Sequence, residues 1–377
     1  MSDDSTTRAL RDLVRRFTTK EIVPNLAAWE RAGQVPRELH RAAADAGLLG
    51  VAYPEAMGGG GGRLIDSLAV TEEIILSGGS SGLIAALFTH GIALPHIVTD
   101  GRPELVERYV RPTLRGELIG ALAVTEPGGG SDVAAIRTTA RRDGDSYLVN
   151  GGKTFITSGC RADFVTTAVR TGDSGHRGVS LLVIDTASPG FTVTRALDKM
   201  GWHCSDTAEL SFVDVRVPAT HLVGAEGTGF AQIMRHFASE RLSMAVQAVA
   251  TAQRCLDLTV AWCRDRVTFG QALDQRQVVR HRLAELARIT AVARTFVWSV
   301  ATRPEPSLVE VAMAKNTAVA ACDEVVDAAV QLHGGAGYLR ESEVERHYRD
   351  ARIMGIGGGT TEIMNEIIAK GLLDARP

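Results

Sequence analysis

The spacing of apolar residues changes twice along this chain, and that change limits the possible folds more than any other feature. Residues 5–118 have helical spacing, as in the early run of Leu10, Leu13 and Phe17. Residues 119–222 contain short extended runs instead, and helical spacing then returns and continues towards the C-terminus. Because helical and extended segments are separated along the chain, a doubly wound parallel sheet is not expected.

Turn signals divide the middle segment into short strands. Asp143 and Gly144 stand between two extended stretches, which is a typical hairpin sequence, and Pro218 closes the last stretch. We therefore expect an α+β protein with three units: an N-terminal α-helical domain at 1–118, a middle antiparallel β-barrel-like domain at 119–222, and a C-terminal α-helical bundle at 223–377. The C-terminal helices are expected at about 228–265, 274–302, 306–333, 341–352 and 360–373.

Composition and charge exclude several classes of protein. The net charge is −3 without a long run of one sign, which argues against nucleic acid as a partner. Apolar runs are too short to span a membrane, so no membrane partner is expected, and the first residues have no secretory-signal pattern. The five cysteines form no CxxC pair, as expected of reduced thiols in a cytoplasmic protein: Cys160, Cys204, Cys255, Cys263 and Cys322.

Several common catalytic motifs are missing from the sequence. It contains no HExxH or GxxxxGK pattern, and its one GxSxG match, at 78–82, lies in a stretch with helical spacing and follows no strand, so neither a metal site nor a serine hydrolase is supported. The stretch HGGAGY at 333–338 follows no strand, and taken alone it favours a turn at a helix end. Arg266 in RVTFG could bind a phosphate, but a solvated arginine at a helix end is the simpler interpretation of that motif alone.

The stretch AVTEPGGGSD at 123–132 is more informative. A strand ends at Thr125 and Glu126, and Pro127 with three glycines then turns the backbone. Exposed N–H groups in such a turn can receive the edge of a flavin or a phosphate group. A plain loop between two strands is the alternative that this stretch leaves open.

Glu240 interrupts an apolar helix face. The apolar line runs through Ile233, Phe237, Met244 and Ala248 at helical spacing, and position 240 falls on the same line. Burial of an unpaired carboxylate is costly and raises its pKa, which is what a proton-abstracting base needs. A structural ion pair with a nearby arginine explains the pattern equally well, so both interpretations stay open at this point.

Seven motifs in this order resemble the acyl-CoA dehydrogenase family. They span residues 123–364 and read AVTEPGGGSD, KTFITSGCRADF, LSFVDVRVP, SERLSMA, RVTFG with Gln277, QLHGGAGY and GGTTEIM. The resemblance implies the acyl-CoA dehydrogenase-like fold and the α,β-dehydrogenation of an acyl-CoA thioester to the trans-2-enoyl-CoA. In that reaction a carboxylate removes the α-proton and the flavin N5 atom of FAD accepts the β-hydride.

The resemblance also implies the residues that hold FAD. One set is expected around the flavin ring and the pyrophosphate: Leu122, Val124, Thr125, Gly130, Ser131, Phe155, Ile156 and Thr157. A second set is expected to contact the FAD of a neighbouring subunit: Arg266, Phe269, Gln277, Gln331, Gly334 and Gly335. Thr360 and Glu362 are expected at an FAD phosphate or ribose. Contacts across subunits imply a homo-oligomer, commonly a tetramer in this family.

The position of the catalytic base differs between branches of the family. Many members carry the glutamate immediately before the GT of the last motif, where this chain has Gly358. A smaller branch, which includes isovaleryl-CoA and long-chain acyl-CoA dehydrogenases, places it before the arginine of an ER pair, here Glu240 and Arg241. The resemblance and the helix-face argument therefore both indicate Glu240 as the base.

Substrate contacts follow from the same resemblance: Ser131, Phe230, Met234, Phe237, Arg241, Gly357 and Gly358. The two glycines predict space for a branched or bulky acyl group, unless a side chain such as Phe88 or Phe237 fills it. The family often has an acid near the CoA arm where this chain has Ala238, so a carrier-protein thioester stays open as substrate.

The expected electron acceptor is an electron-transfer flavoprotein, again by resemblance. Two other functions stay open. One is a flavin oxidase or monooxygenase of the same fold, and the other is a flavin-loaded, non-catalytic CoA-binding or interaction protein.

Overall fold

A computed structural model describes residues 5–173 and 175–374 of the chain. The N-terminal residues are helical, in agreement with their apolar spacing. The helices are α1 (Ser5–Phe17), α2 (Leu26–Ala32), α3 (Arg37–Asp45), α4 (Leu64–Leu76), α5 (Ser81–Leu87), α6 (His90–Ala93), α7 (Pro95–Asp100), α8 (Pro103–Leu105) and α9 (Arg111–Leu114).

The middle segment forms one sheet. Its strands are β1 (Gly120–Ala123), β2 (Thr139–Asp143), β3 (Ser146–Thr157), β4 (Phe164–Arg170), β5 (Val179–Asp185), β6 (Phe191–Ala196), β7 (Thr207–Pro218) and β8 (Leu222–Val223). The spatial order is β6-β7-β3-β2-β4-β5-β8, with β1 beside β4. The predicted hairpin at Asp143 and Gly144 is confirmed, and Pro218 does end β7.

The expectation of a purely antiparallel sheet needs one correction. Strand β1 runs parallel to β4, with Gly120 opposite Phe164, and β2 meets β4 in parallel at Thr139 and Arg170. A parallel pair needs a long crossover connection, and here the β2–β3 hairpin lies between β1 and β4 in the sequence. The sheet is therefore mixed, with most neighbouring strands antiparallel.

The C-terminal segment is again helical. Its helices are α10 (Gly229–Asp265), α11 (Gln277–Ala301), α12 (Leu308–His333), α13 (Glu343–Ala351) and α14 (Thr361–Asp374). They lie within three residues of the predicted bounds. A small hairpin of β9 (Val267–Thr268) and β10 (Gln271–Ala272) joins α10 to α11, and the sequence did not predict it. The overall α+β fold class is confirmed, whereas the domain boundaries at 118 and 222 stay predictions.

Helix α10 packs against helices of both the N-terminal and the C-terminal segments. It packs against α4, α11 and α12, and Ala245, Ala248 and Ala252 belong to the core that these helices share. The distance between packed helices depends on the size of the side chains at the contact. The alanines therefore let the neighbouring helices approach α10 closely.

Within the described residues, no single helix is both long and apolar enough to cross a membrane. The adjacent helices Ser81–Leu87 and His90–Asp100 satisfy the length and composition criteria only as a pair, and they are bent by 61°.

A buried carboxylate joins the N-terminal helices to the C-terminal ones. Glu72 on α4 is fully buried, and its oxygens accept hydrogen bonds from Arg11 at 2.7 Å, from Arg294 at 2.9 Å and from the indole N–H of Trp298 at 2.9 Å. Burial alone would raise the pKa of Glu72, but these donors outweigh it and the pKa is lowered. The carboxylate therefore stays ionised and links α1, α4 and α11.

Replacement of Glu72 by alanine is expected to lower the thermal unfolding midpoint. The change removes the partner of two arginines, and loss of one member of a buried ion pair costs about 3 to 5 kcal/mol. Because the folded-state pKa lies below the unfolded one, this contribution is present at neutral pH and is lost as the pH falls through the folded pKa. Glu285→Ala is the control, because its exposed pair with Arg288 contributes little. Equal midpoints for the two variants would contradict the assignment.

Candidate active site

Glu240 lies directly beside the three-glycine turn at residues 357–359, which precedes α14 and is called the glycine turn below. A Cβ atom at Gly358 would lie 3.4 Å from Oε1 of Glu240, so the two positions where the family can carry its base meet in space. The Glu240 side chain is half-buried and has no hydrogen-bonding or salt-bridge partner among the described residues. Burial raises the pKa of Glu240, and the positive charges of Arg241 and Lys315 offset only part of this rise. The ion-pair interpretation of this residue therefore has no geometric support.

Arg241 binds the glycine turn instead of Glu240. Its Nε donates to the carbonyl oxygen of Gly358 at 3.0 Å, and its guanidinium carbon lies 5.1 Å from the centre of the Phe237 ring. Arg241 is only 5 % exposed, and the substrate contact that the resemblance implied stays a prediction. Its observed role is to hold the backbone of the turn.

Lys315 on α12 also binds this turn. Its Nζ donates to the carbonyl oxygen of Gly357 at 2.6 Å and also to that of Gly359. The residue is 1 % exposed, and burial together with the charge of Arg241 lowers its pKa to about 8. Sequence reasoning missed Lys315, although a charged residue on the buried face of a helix is the same signal that identified Glu240.

Met244 fills part of the space beside Gly357 and Gly358. A Cβ atom would lie 3.3 Å from the Met244 Cε at Gly357 and 2.8 Å from its Sδ at Gly358. Neither Phe88 nor Phe237 is among the nearest atoms at either glycine. The gap predicted from the glycines is therefore bordered by a flexible thioether side chain.

The other predicted substrate contacts on α10 share one face. Phe230, Met234 and Phe237 are spaced by one helical turn, are half-buried and pack against an apolar cluster formed by N-terminal helices and by strands β4 and β5. Leu122 of β1 packs against the same cluster. The structure thus brings the predicted acyl contacts and one predicted flavin contact to a common apolar surface.

A buried ion pair joins the two stretches that are predicted to hold the flavin. Nζ of Lys153 donates to the carbonyl oxygen of Val124 at 3.0 Å and to Oε1 of Glu126 at 2.8 Å. The N–H of Thr154 also donates to the carbonyl oxygen of Thr125 at 2.9 Å. Burial lowers the pKa of Lys153 to about 8, while Glu126 opposes the shift. Neither member of this pair was proposed from the sequence, although each lies inside a motif that was recognised.

The predicted flavin residues differ in how far they reach solvent. Phe155 is 67 % exposed and has φ = 59°, which is uncommon for a residue other than glycine and frequent at functional sites. Gly130 and Ser131 are also exposed, whereas Thr157 is half-buried. Ile156 is 2 % exposed in the sheet core, and its expected contact with the flavin stays a prediction.

The second predicted set lies around a cleft of about 390 Å³ near the end of α10. Arg266, Gly334 and Gly335 line it together with two aromatic residues: Trp262, which the sequence did not identify, and His333. The rings of these two are stacked with centroids 5.0 Å apart. Phe269 is 97 % exposed, and Gln277 and Gln331 are exposed at the adjoining helix ends.

This cleft is far from Glu240. Arg266 follows Glu240 by 26 residues, almost all in one helix, and a helix rises 1.5 Å per residue, so the two are roughly 39 Å apart along α10. The two sets of predicted FAD contacts therefore do not form a single site around Glu240 in one chain.

Thr360 and Glu362 lie at the beginning of α14. The hydroxyl of Thr360 accepts a hydrogen bond from the N–H of Ile363 at 3.3 Å, as a helix-capping residue does, and Glu362 is exposed in the first turn. Free N–H groups at a helix N-terminus favour an anionic ligand. Their predicted role at an FAD phosphate stays a prediction.

Comparison with known proteins covers nearly the whole chain. The sequence matches the family models of the acyl-CoA dehydrogenase N-terminal domain at residues 4–117, the middle domain at 121–215 and the C-terminal domain at 227–373. The mitochondrial long-chain specific acyl-CoA dehydrogenase of Sus scrofa is 39 % identical over 369 residues, which are 96 % of this chain and 85 % of the relative.

Solved structures agree with this assignment. The crystal structure of a probable acyl CoA dehydrogenase from Mycobacterium abscessus is 64 % identical with a TM-score of 0.96, over 97 % of this chain and 98 % of that one. The crystal structure of a prolyl acyl carrier protein oxidase is 29 % identical with a TM-score of 0.92, over 98 % of this chain and 99 % of that one. The family resemblance read from the seven motifs is confirmed: this chain belongs to the acyl-CoA dehydrogenase family and is an oxidoreductase.

Proposed function

We propose that this protein dehydrogenates an acyl-CoA thioester at its α and β carbons, with Glu240 as the base that removes the α-proton. FAD, when bound, supplies the acceptor for the β-hydride. The observation that carries this proposal is the position of the Glu240 carboxylate, which lies against Gly358 without a cation paired to it.

The electrostatic environment suits proton removal. Burial raises the pKa of Glu240, and a base is more effective when its pKa lies closer to the working pH. The positive charges of Arg241 and Lys315 act in the opposite direction and lower the pKa of Glu240. Flavin reduction is therefore expected to rise with pH as Glu240 loses its proton.

Two features support FAD as the cofactor. The Lys153–Glu126 pair brings the stretch around Thr125 close to Phe155, whose ring is exposed and available to a planar ligand. Separately, Arg266 and the stacked pair Trp262 and His333 form a cleft suited to a phosphate and an aromatic ring. Because this cleft is distant from Glu240 on its own chain, we propose that it holds the FAD of a neighbouring subunit in a homotetramer.

An electron-transfer flavoprotein is the proposed acceptor of the electrons, and a cytoplasmic location is the proposed setting. The acceptor follows from the family resemblance, and the location follows from the unpaired cysteines. Among the described residues all five cysteines are free thiols, which is typical of a reducing compartment.

A second candidate function is oxidation of a carrier-protein thioester. Ala238 stands where an acid often lies near the CoA arm, and the similar prolyl acyl carrier protein oxidase shows that this fold can act on such a substrate. The same acyl group should be offered on CoA and on a carrier protein, followed by rapid mixing of the reduced flavin with oxygen. If the carrier-bound acyl group reduces the flavin faster than the CoA-bound one, and oxygen rapidly reoxidises the flavin, this second function replaces the primary proposal.

Glu240→Gln is expected to retain FAD and bind thioester but to lose flavin reduction. A positioned base is worth about 10² to 10⁴ in rate, so a loss of this size or more is expected in anaerobic stopped-flow measurements. Asp257→Asn is the control, because it neutralises an exposed carboxylate on the same helix. Near wild-type reduction in Glu240→Gln would sink the assignment of the base.

Arg266→Ala is expected to weaken FAD retention and to loosen the oligomer together, because the guanidinium is proposed to bind a phosphate of the neighbour's cofactor. Flavin content after purification and size by light scattering measure the two effects. Arg264→Ala is the matched control, since Arg264 is an exposed arginine in the same turn. If both variants keep full flavin and native size, Arg266 is an ordinary surface residue.

The pair of glycines is expected to permit a branch near the thioester. Met244 borders that space, so Met244→Ala should shift preference further towards branched acyl groups. One methylene in an apolar pocket is worth about 1 to 3 kcal/mol, so a preference and not exclusion is expected. Flavin reduction by straight and branched acyl-CoAs of equal carbon number measures it. A preference for straight chains in both proteins at every length would refute branch tolerance.

A further inference from the structure

Lys315 is a buried cation that binds the glycine turn of the proposed active site. It lies on the face of α12 that also carries Val311, Ala318 and Cys322, all of them buried. Burial of an ammonium group among such side chains is unfavourable unless its donors are satisfied. The acceptors that satisfy it are two backbone carbonyls of the glycine turn.

Lys315 and Arg241 together hold three consecutive carbonyl groups. Lys315 binds those of Gly357 and Gly359, and Arg241 binds that of Gly358 between them. Gly358 and Gly359 have φ values of 62° and 99°, a region that residues with a side chain rarely adopt. The backbone of this turn is therefore fixed by two buried cations and has no side chain of its own to position it.

Fixing the carbonyls also fixes the amide groups. In a planar trans peptide the C=O and the following N–H point in opposite directions. The N–H groups of Gly358 and Thr360 therefore point away from Lys315, and the N–H of Gly359 points away from Arg241. Among the described residues no acceptor is found for any of these three N–H groups. Unused donors beside a carboxylate base are available to an oxygen atom of a ligand.

We propose that Lys315 is a positioning residue that orients the glycine turn, so that the N–H groups directed away from it, those of Gly358 and Thr360, polarise the thioester carbonyl while Glu240 removes the α-proton. This inference deepens the proposed function and rests on it. As the α-proton leaves, negative charge builds on the thioester oxygen, and preorganised N–H donors stabilise that charge. Lys315 does not touch the substrate in this arrangement, because its donors are directed to the turn.

Lys315 has a second, separable effect through its charge. The charged groups that act on Glu240 are Arg241 on the same helix and Lys315 on the facing helix, and both lower its pKa. Loss of the Lys315 charge is therefore expected to move the pH midpoint of flavin reduction upwards, because Glu240 would then lose its proton at higher pH.

A binding experiment tests the positioning role without turnover. In the Glu240→Gln holoprotein, calorimetry compares an acyl-CoA thioester with the matching S-alkyl-CoA thioether, in which a methylene replaces the carbonyl. A hydrogen-bonded carbonyl is expected to make the thioester bind roughly tenfold more tightly. Adding Lys315→Met should bring the ratio towards one, whereas Lys315→Arg should keep most of it.

A pH profile tests the effect of the charge. With Glu240 intact, Lys315→Met should reduce the rate of flavin reduction about tenfold or more, since a single oxyanion donor is worth ~10² to 10³. Its pH midpoint should also rise, which a merely structural defect would not cause. If Lys315→Met loses its FAD, Lys315→Gln replaces it, because the amide keeps two N–H donors without the charge. That variant should keep the thioester preference and still shift the midpoint.

The outcomes separate this inference from the proposed function. An unchanged thioester preference and an unchanged pH midpoint in the uncharged variants would overturn the role of Lys315, as would equal affinity for thioester and thioether when Lys315 is present. A protein that prefers the thioester in the expected way, but whose flavin no acyl-CoA reduces, would support the role of Lys315 and overturn the proposed dehydrogenation.

Discussion

Helix α10 connects both parts of the proposed site, and its packing determines where each part lies. It carries Glu240 near its beginning and leads to Arg266 just after its end. Contacts with α4, α11 and α12 hold the helix along its length, and its buried alanines allow these helices to pack closely. Because one rigid helix separates Glu240 from Arg266, the cleft at Arg266 can serve only a ligand that lies far from the chain's own Glu240.

Four charged side chains that are largely withdrawn from solvent differ in whether hydrogen-bonding partners compensate them. Glu72, Lys153 and Lys315 are each compensated by several hydrogen-bonding partners, and each connects segments that are distant in the sequence. Glu240 has no such partner among the described residues, and its pKa is raised by burial. A compensated charge stabilises a structure, whereas an uncompensated one costs free energy, which a protein retains most often where a reaction needs it.

The glycine turn is informative because it lacks side chains. At Gly358 a side chain would compete for space with the Glu240 carboxylate and with Met244. Two cations position the backbone of the turn by hydrogen bonds: Arg241 from α10 and Lys315 from α12. The absence of a glutamate at position 358 is thus matched by a glutamate that reaches the same place from a different helix.

The sequence by itself determined the order of helical and extended segments, the bounds of the long helices to within three residues, and the family, because apolar periodicity and short motifs are local properties. It also singled out Glu240, since a charge that interrupts an apolar helix face is visible without coordinates.

Only the tertiary structure decided what surrounds that charge. Four contacts join residues that are distant in sequence or lie in different elements. They are the parallel pairing of β1 with β4, the ion pair of Lys153 with Glu126, the stacking of Trp262 on His333, and the hydrogen bonds of Lys315 to the glycine turn. Such contacts depend on how helices and strands pack, and hydrophobic spacing within one element carries no information about which polar group another element will bring to meet it.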